Sequence, residues 1–326
     1  MGALEFLVKK DGSAIPIVAG LLLLPLFSHP FYVYTVATIL NLGLLALSLN
    51  LVLGYGGIYQ FHHAVFYGFG AYSVALILSK TSLPFWVAFL SGPLFSASLS
   101  FIMGLLCVRL SKLYFGMFQI SLGSLVWAVA FRWKSMTGGD DGLHGIPIPQ
   151  ILSSVSGSYY FVLFVCLVCV ISMAVIVRSP FGSILRSIRD NPERSMAIGV
   201  NVKNQQLVAL VIAGAYAGVS GSLFVVLEGS VFPALMFWTL SLEVLIMCLV
   251  GGMFTFMGPM IGAGIVVAVR TFVGSFTEYW TMVEAIIFLL VIFFLPQGVL
   301  GFFKEKFDNV AARKSRAGKV CSRSNL

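Results

Sequence analysis

The chain of 326 residues is 59% hydrophobic and only 10% charged, where a soluble domain carries about 25% charged residues. With a mean hydropathy of +0.99, it has too little polar surface to coat an aqueous fold, so a soluble globular protein is excluded. The formal net charge of +8 does not make it a nucleic-acid binder, because the basic residues sit between apolar runs and form no single patch.

Those runs are continuous rather than alternating, which selects membrane-spanning helices over a barrel. The first, Ala14 to Phe27, follows a mixed-charge stretch, Glu5 to Asp11, with no small-residue cleavage site, and reads as an uncleaved span. Further runs cover Phe31 to Leu53, His63 to Ser79, Pro84 to Val108, Leu113 to Phe131 and Tyr159 to Val177. After a polar interval come Gln206 to Leu227, Phe237 to Val250, Pro259 to Val273 and Tyr279 to Leu295. The pattern predicts an all-α polytopic membrane protein of about ten transmembrane helices.

Lys and Arg give the orientation. With both termini cytoplasmic, the inner side holds Lys9, Lys10, Arg109, Lys112, Arg178, Arg186, Arg189, Arg194, Lys203 and the basic residues of the tail. The outer side keeps Lys80, Arg132, Lys134 and Arg270. This bias follows the positive-inside rule, and the basic loops double as contacts for membrane lipid. Spans two to five and seven to ten then run in opposite senses, the layout of an inverted repeat. Two glycine clusters support it: Gly54, Gly56, Gly57, Gly68 and Gly70 in one half, and Gly251, Gly252, Gly258, Gly262 and Gly264 in the other. Residues 1–303 read as one transmembrane domain with an external loop at 132–158 and a cytoplasmic segment at 178–205; residues 304–326 read as a disordered basic tail.

The cytoplasmic segment begins RSPFGSILRSIRDNPERSMAIGV. Ser179 is placed to cap a helix whose first residue is Pro180. Ile184, Leu185 and Ile188 form an apolar stripe, with Arg186 and Arg189 on another face. Pro192 ends the run, and Glu193 to Ile198 forms a second short helix stopped by Gly199. Two short helices across the membrane face suit a groove on a partner, or lie flat on lipid as an amphipathic element.

Polar residues inside the apolar runs are candidates for a solute pathway. They are Asn41, Asn50, Gln60, His62, His63, Gln119 and Glu243, and each has an alternative as a helix-to-helix hydrogen bond. Glu243 favours structural support, and Arg270 and Glu284 are expected to pair or to reach for the interface. The C-x-x-C of Cys166 and Cys169 lies in an apolar span without acidic or histidine neighbours and reads as packing. The loop TGGDDGLHGIP offers Asp140, Asp141 and His144 but too few oxygens for a cation site, so no metal is expected. No G-x-x-x-x-G-K-[ST] string occurs.

Taken in order, GYGGIYQFHHAVFYGFGAY, TGGDDGLHGIP, RSPFGSILRSIRDNPERSMAIGV, VGGMFTFMGPMIGA and FLPQGVLGFF resemble one family. It is the permease subunits of ATP-binding-cassette importers for branched-chain amino acids, and above all the member with the TGG-x-DGL-x-GIP loop. The likeness covers about Leu40 to Phe303. It implies a multi-pass protein of the bacterial cytoplasmic (inner) membrane, without enzymatic activity or a cofactor of its own. The implied partners are two cytoplasmic ATPase subunits that bind ATP, a second permease, identical or homologous, and an external solute-binding protein. The residues that would meet the ATPases are Arg178, Pro180, Phe181, Gly182, Leu185, Arg186, Ile188, Arg189, Asn191 and Gly199. One departure concerns the solute. Where the family reads S-L-G-H-A, Gln60 stands for the Ser, His62 for the Gly, and His63 matches the His before Ala64. That keeps urea, short amides, other amino acids and small carboxylates open beside branched-chain amino acids. Two other classes are weaker: an ion-coupled secondary transporter would rest on Glu243, and a membrane enzyme on Gln60, His62 and His63.

Overall fold

A computed structural model of the chain describes residues 14–110, 112–276, 279–294 and 298–301. The charged N-terminal stretch, the tail 304–326 with Cys321 and the Glu284 side chain lie outside the described residues. Each of the ten expected spans is a helix. They are α1 (Ala14–Phe27), α2 (Pro30–Asn50, continued by a π-helical turn, Leu51–Tyr55), α3 (Ala64–Lys80), α4 (Phe85–Cys107), α5 (Lys112–Arg132) and α6 (Val155–Arg178). Two short helices follow, α7 (Pro180–Asp190) and α8 (Pro192–Ala197), and then α9 (Val202–Glu228), α10 (Trp238–Gly251), α11 (Gly258–Gly274) and α12 (Trp280–Phe294). The protein is an all-α polytopic membrane protein.

The described helices differ in whether they are long enough to cross a bilayer. Pro30–Tyr55, Phe85–Cys107, Tyr114–Arg132, Val155–Arg178 and Val202–Glu228 are long and apolar enough to do so. By contrast α3 has 17 residues and α10 only 14. At 1.5 Å per residue α10 rises about 21 Å, short of a hydrocarbon core of about 30 Å.

The reason is that α3 and α10 start inside the bundle. After Tyr55, Gly57 takes a positive φ of 65° and the chain turns back. By His63 it has returned to the level of α2, where the Ser48 hydroxyl lies 2.7 Å from His63 Nε2. In the other half α9 stops at Gly229, also at positive φ. The chain then runs through a 3-10 turn, Pro233–Met236, against Gly68 of α3, where a Cβ would meet the Leu235 and Met236 backbone at 3.1 Å. The two returning segments meet: the first amide of α3, Ala64 N–H, donates to Ser241 Oγ in the first turn of α10 at 2.9 Å. Non-helical backbone at this depth survives only when enclosed by protein, and here the long helices enclose it.

Helix α9 forms the axis and packs most heavily on α4, α3 and α2. Close approach needs small residues, since helices in lipid associate by packing and hydrogen bonds rather than by a hydrophobic drive. A Cβ on Gly70 would stand 2.7 Å from Gly218 Cα, and one on Gly218 would stand 2.6 Å from Gly92 O. Hydroxyls bridge the same seams: Ser96 donates to Phe66 O and Ser100 to Leu210 O, both at 2.7 Å. The outer faces carry exposed apolar side chains such as Leu26, Leu94, Phe164 and Phe293. Cys166 and Cys169 are buried free thiols, and Cys166 Sγ contacts Leu40 O at 3.6 Å, a packing role.

The loop 132–158 is more ordered than its glycines suggest. A strand the sequence did not reveal, β1 (Leu143–His144), pairs antiparallel with β2 (Ser230–Val231). Thr137 Oγ1 donates to Ala130 O at 2.6 Å, and the His144 ring meets Phe232 edge-on at 5.1 Å. The loop is thereby pinned over the end of α9. Among the described residues no three His, Cys, Asp or Glu side chains converge as a metal site would need.

Candidate functional site

The polar segment after α6 folds as two short helices lying under one end of the bundle. Ser179 is the N-cap of α7 in extended backbone, but its hydroxyl donates back to Ile176 O at 2.7 Å. The expected side-chain cap is therefore not made. Pro180 starts the helix, where the missing N–H costs nothing. Gly182 permits the tight corner, because a Cβ there would lie 2.8 Å from Val177 Cα. Leu185 and Ile188 are fully covered and anchor the inner face, Phe181 is half-buried, and Arg186 turns back to its own Gly182 O at 3.2 Å. Asn191 caps α8 by accepting from Arg194 N–H at 2.9 Å. The helix ends at Ala197 with Ile198 as its C-cap, and Gly199, at φ 90°, closes it.

Arg189 is the residue that joins this segment to the bundle. Its Nη1 donates to Gly54 O at 2.8 Å, and its guanidinium stands 5.2 Å from the centre of the Phe254 ring. Its Nη2 also reaches the adjacent Asp190 at 3.0 Å. Gly57 packs on its backbone, with room for no Cβ. Gly54 to Gly57 follow α2, and Phe254 lies in the break between α10 and α11. One side chain thus touches both glycine-rich breaks. Asn50 ties the same breaks together by donating to Thr255 O at 3.3 Å.

The remaining pathway candidates divide in two. Asn41 is structural: Nδ2 donates to the Tyr67 hydroxyl at 3.3 Å and Oδ1 accepts from Ser220 at 2.8 Å. His63 is bound by Ser48. Glu243 pairs with Arg270 at 3.1 Å, a contact that agrees with structural support; the expected partner Glu284 has its side chain outside the described residues. The second group has no such partners. Gln60 and His62 are 1% exposed and Gln119 2%. Among the described residues no hydrogen bond reaches either polar atom of Gln60, either ring nitrogen of His62, or Gln119 Oε1. On α5, Gly116, Gln119 and Gly123 share a face by their spacing. Gly116 lies under the Phe61 ring and Gly123 under the His62 ring. Gln119 is therefore turned toward the returning segment that holds Gln60 and His62. Ser48 and His63 are both fully buried, and Ser48 also donates to Leu45 O at 2.7 Å.

The profile of the family described as "Branched-chain amino acid transport system / permease component" matches residues 31–295. The chain belongs to this family. It is similar to the high-affinity branched-chain amino acid transport system permease protein LivM of Escherichia coli (strain K12), with 27% identity over 303 residues, 84% of this chain and 71% of that protein. The protein of the same description from Salmonella typhimurium (strain LT2) is 27% identical over 284 residues, 79% of this chain and 67% of its own length. A probable branched-chain amino acid transport permease protein LivM of Methanocaldococcus jannaschii is 24% identical over 220 residues, 56% of this chain and 63% of its own. No solved structure matches the chain. The family match runs from the start of α2 to the end of α12, so both breaks, both returning segments and the Arg189 contacts lie within the shared permease body. Membership marks the chain as a transport subunit rather than an enzyme.

Sequence reasoning did not foresee the partners of these residues. Tyr67 and Phe254 lie inside quoted strings but were given no role there, Ser220 and Ser241 were not singled out, and only the fold brings the four to Asn41, Ala64 and Arg189. The Gln60–His62 departure was the one legible sign that polar groups gather at the returning segment.

Proposed function

We propose that this chain is the membrane-spanning permease of an ATP-binding-cassette importer in the bacterial cytoplasmic (inner) membrane, carrying branched-chain or other hydrophobic amino acids by alternating access. A solute-binding protein delivers the solute from outside into a passage between this chain and a second permease. Two ATPase subunits bind ATP on the cytoplasmic side and close together against α7 and α8. The names of the relatives support the solute class.

The observation that carries the reading is the double contact of Arg189. A force on α7 reaches Gly54 through a charged hydrogen bond and the α10–α11 break through Phe254. Both breaks begin or end helices that do not cross the membrane fully, and such discontinuous helices are where transporters change access. Gln60 and His62 lie on the segment that the first break leads into and Gln119 of α5 faces it, and their unpaired groups gain partners when the segment moves. Glu243, already paired, leaves an ion-coupled mechanism without its charge.

Expression of the chain with its genomic neighbours and affinity capture tests the class. The expected result is recovery of ATPase subunits and a second permease in stable proportion. Recovery of this chain alone, fully active in uptake, contradicts it.

A further inference from the structure

A cavity of about 330 Å³ opens at the end of the bundle where α2 and α6 begin and α9 ends, at the lower edge of the size range of small-molecule sites, about 300–1,000 Å³. Ile146, Ile148, Leu152 and Val226 give it apolar walls. Its polar groups are the exposed Tyr34 and Glu228 together with Ser153 and Ser158, and the Tyr34 hydroxyl donates to Glu228 Oε1. Glu228 is the last residue of α9, at the negative end of the helix dipole, where a carboxylate is unfavourable and a cation welcome. Among the described residues no Lys, Arg or His forms an ion pair with it. Val155 and Ser158, in the first turn of α6, line the same cavity, so it also borders the positive end of a helix. Negative and positive ends beside one aliphatic chamber match a zwitterion with a branched apolar side chain.

We propose that this cavity is a binding site for an aliphatic α-amino acid, with its ammonium on Glu228 and its side chain against Ile146, Ile148 and Leu152. It rests on the importer reading for the identity of the solute, and on the cavity alone for the site. Tyr34 positions the carboxylate rather than meeting the solute's carboxyl. The site is distinct from Gln60, His62 and Gln119, which lie toward the other end of α2. Two of its walls, Ile146 and Ile148, come from and just beyond the TGGDDGLHGIP loop, so a protein that docks on that loop would open or close it.

The test is binding of radiolabelled leucine to the full chain in phosphatidylcholine nanodiscs. Saturable binding is expected, displaced by isopentylamine but not by 4-methylpentanoate, which lacks the amine. Glu228→Gln should weaken it about tenfold or more, the worth of a charge-assisted hydrogen bond. Ile148→Trp, which fills the chamber and spares the carboxylate, should abolish it, while monodisperse elution of both variants shows that they fold. No saturable binding to the unaltered chain, leucine affinity unchanged in Glu228→Gln, or equal competition by 4-methylpentanoate overturns the proposal. So does retention of phosphatidylethanolamine by the unaltered chain, lost in Glu228→Gln and undisplaced by leucine, which would assign the ammonium to lipid. Leucine binding that depends on Glu228 in a chain that captures no ATPase would sink the importer reading and leave the site standing.

Discussion

Replacing Arg189 by Ala should lower ATP-driven uptake by between about ten- and a hundredfold, with the permease still inserted and folded. The side chain gives one charged hydrogen bond, to Gly54 O, worth about 1.5–3 kcal/mol, and a cation–π contact with Phe254 worth about 0.5–1 kcal/mol at a partly exposed site. The Asp190 pair is exposed on its acidic side and adds little. If these contacts carry the stroke from α7 to the two breaks, losing them costs coupling rather than folding, because Leu185 and Ile188 still hold the helix to the bundle. ATP hydrolysis in the assembled importer should continue while solute uptake falls. The double variant Arg186→Glu with Arg189→Glu should go further and abolish stimulation of the ATPase, since Arg186 faces outward from the same helix. Normal uptake in Arg189→Ala would remove the lever from the mechanism.

Placing aspartate at Met196 and Ile198 should release the ATPase subunits. Met196 is 54% and Ile198 73% exposed, on a segment otherwise polar. Such side chains at the tip of a two-helix projection are the apolar centre a partner groove would cover, with Arg186, Glu193 and Arg194 as its polar rim. Burying each side chain is worth about 1.5–3 kcal/mol, so the pair of substitutions should weaken association by a hundredfold or more, counting about tenfold for each 1.4 kcal/mol. Both residues point away from the bundle, so the variant should fold normally. The readout is the yield of ATPase on affinity capture of Met196→Asp with Ile198→Asp, and an unchanged yield would move the docking surface elsewhere.

Among the described residues each apolar run read from hydropathy is a helix, because such a run must be helical in lipid. The depth of these helices was not legible. A run of 14 apolar residues such as α10 looks like a short span, and the contact of Ala64 with Ser241 shows that it begins inside the bundle beside the start of α3. The corner at Ser179, the stop at Gly199 and the helix–Pro192–helix form of α7 and α8 were readable, since Pro, Gly and Asn act on their own backbone. What Ser179 does with its hydroxyl was not, because Ile176 O competes with the helix amides for it. Among the pathway candidates, Asn41, Asn50 and Glu243 proved to be tied to Ser220, Thr255 and Arg270. Partners 27 to more than 200 residues distant leave no local signature. Gln60, His62 and Gln119 stood out because two of them break a familiar local pattern. The pairing of β1 with β2 joins segments more than 80 residues apart, with two residues in each strand, too short for any alternation to show.

The central claim is that a separate ATP-consuming motor moves this permease. Its most direct test is uptake of labelled leucine into sealed vesicles holding the purified chain with or without co-expressed ATPase and permease partners, each with and without ATP and an external binding protein. Uptake only when partners, binding protein and ATP are all present is the predicted result; full-rate uptake by this chain alone, without nucleotide, would contradict it.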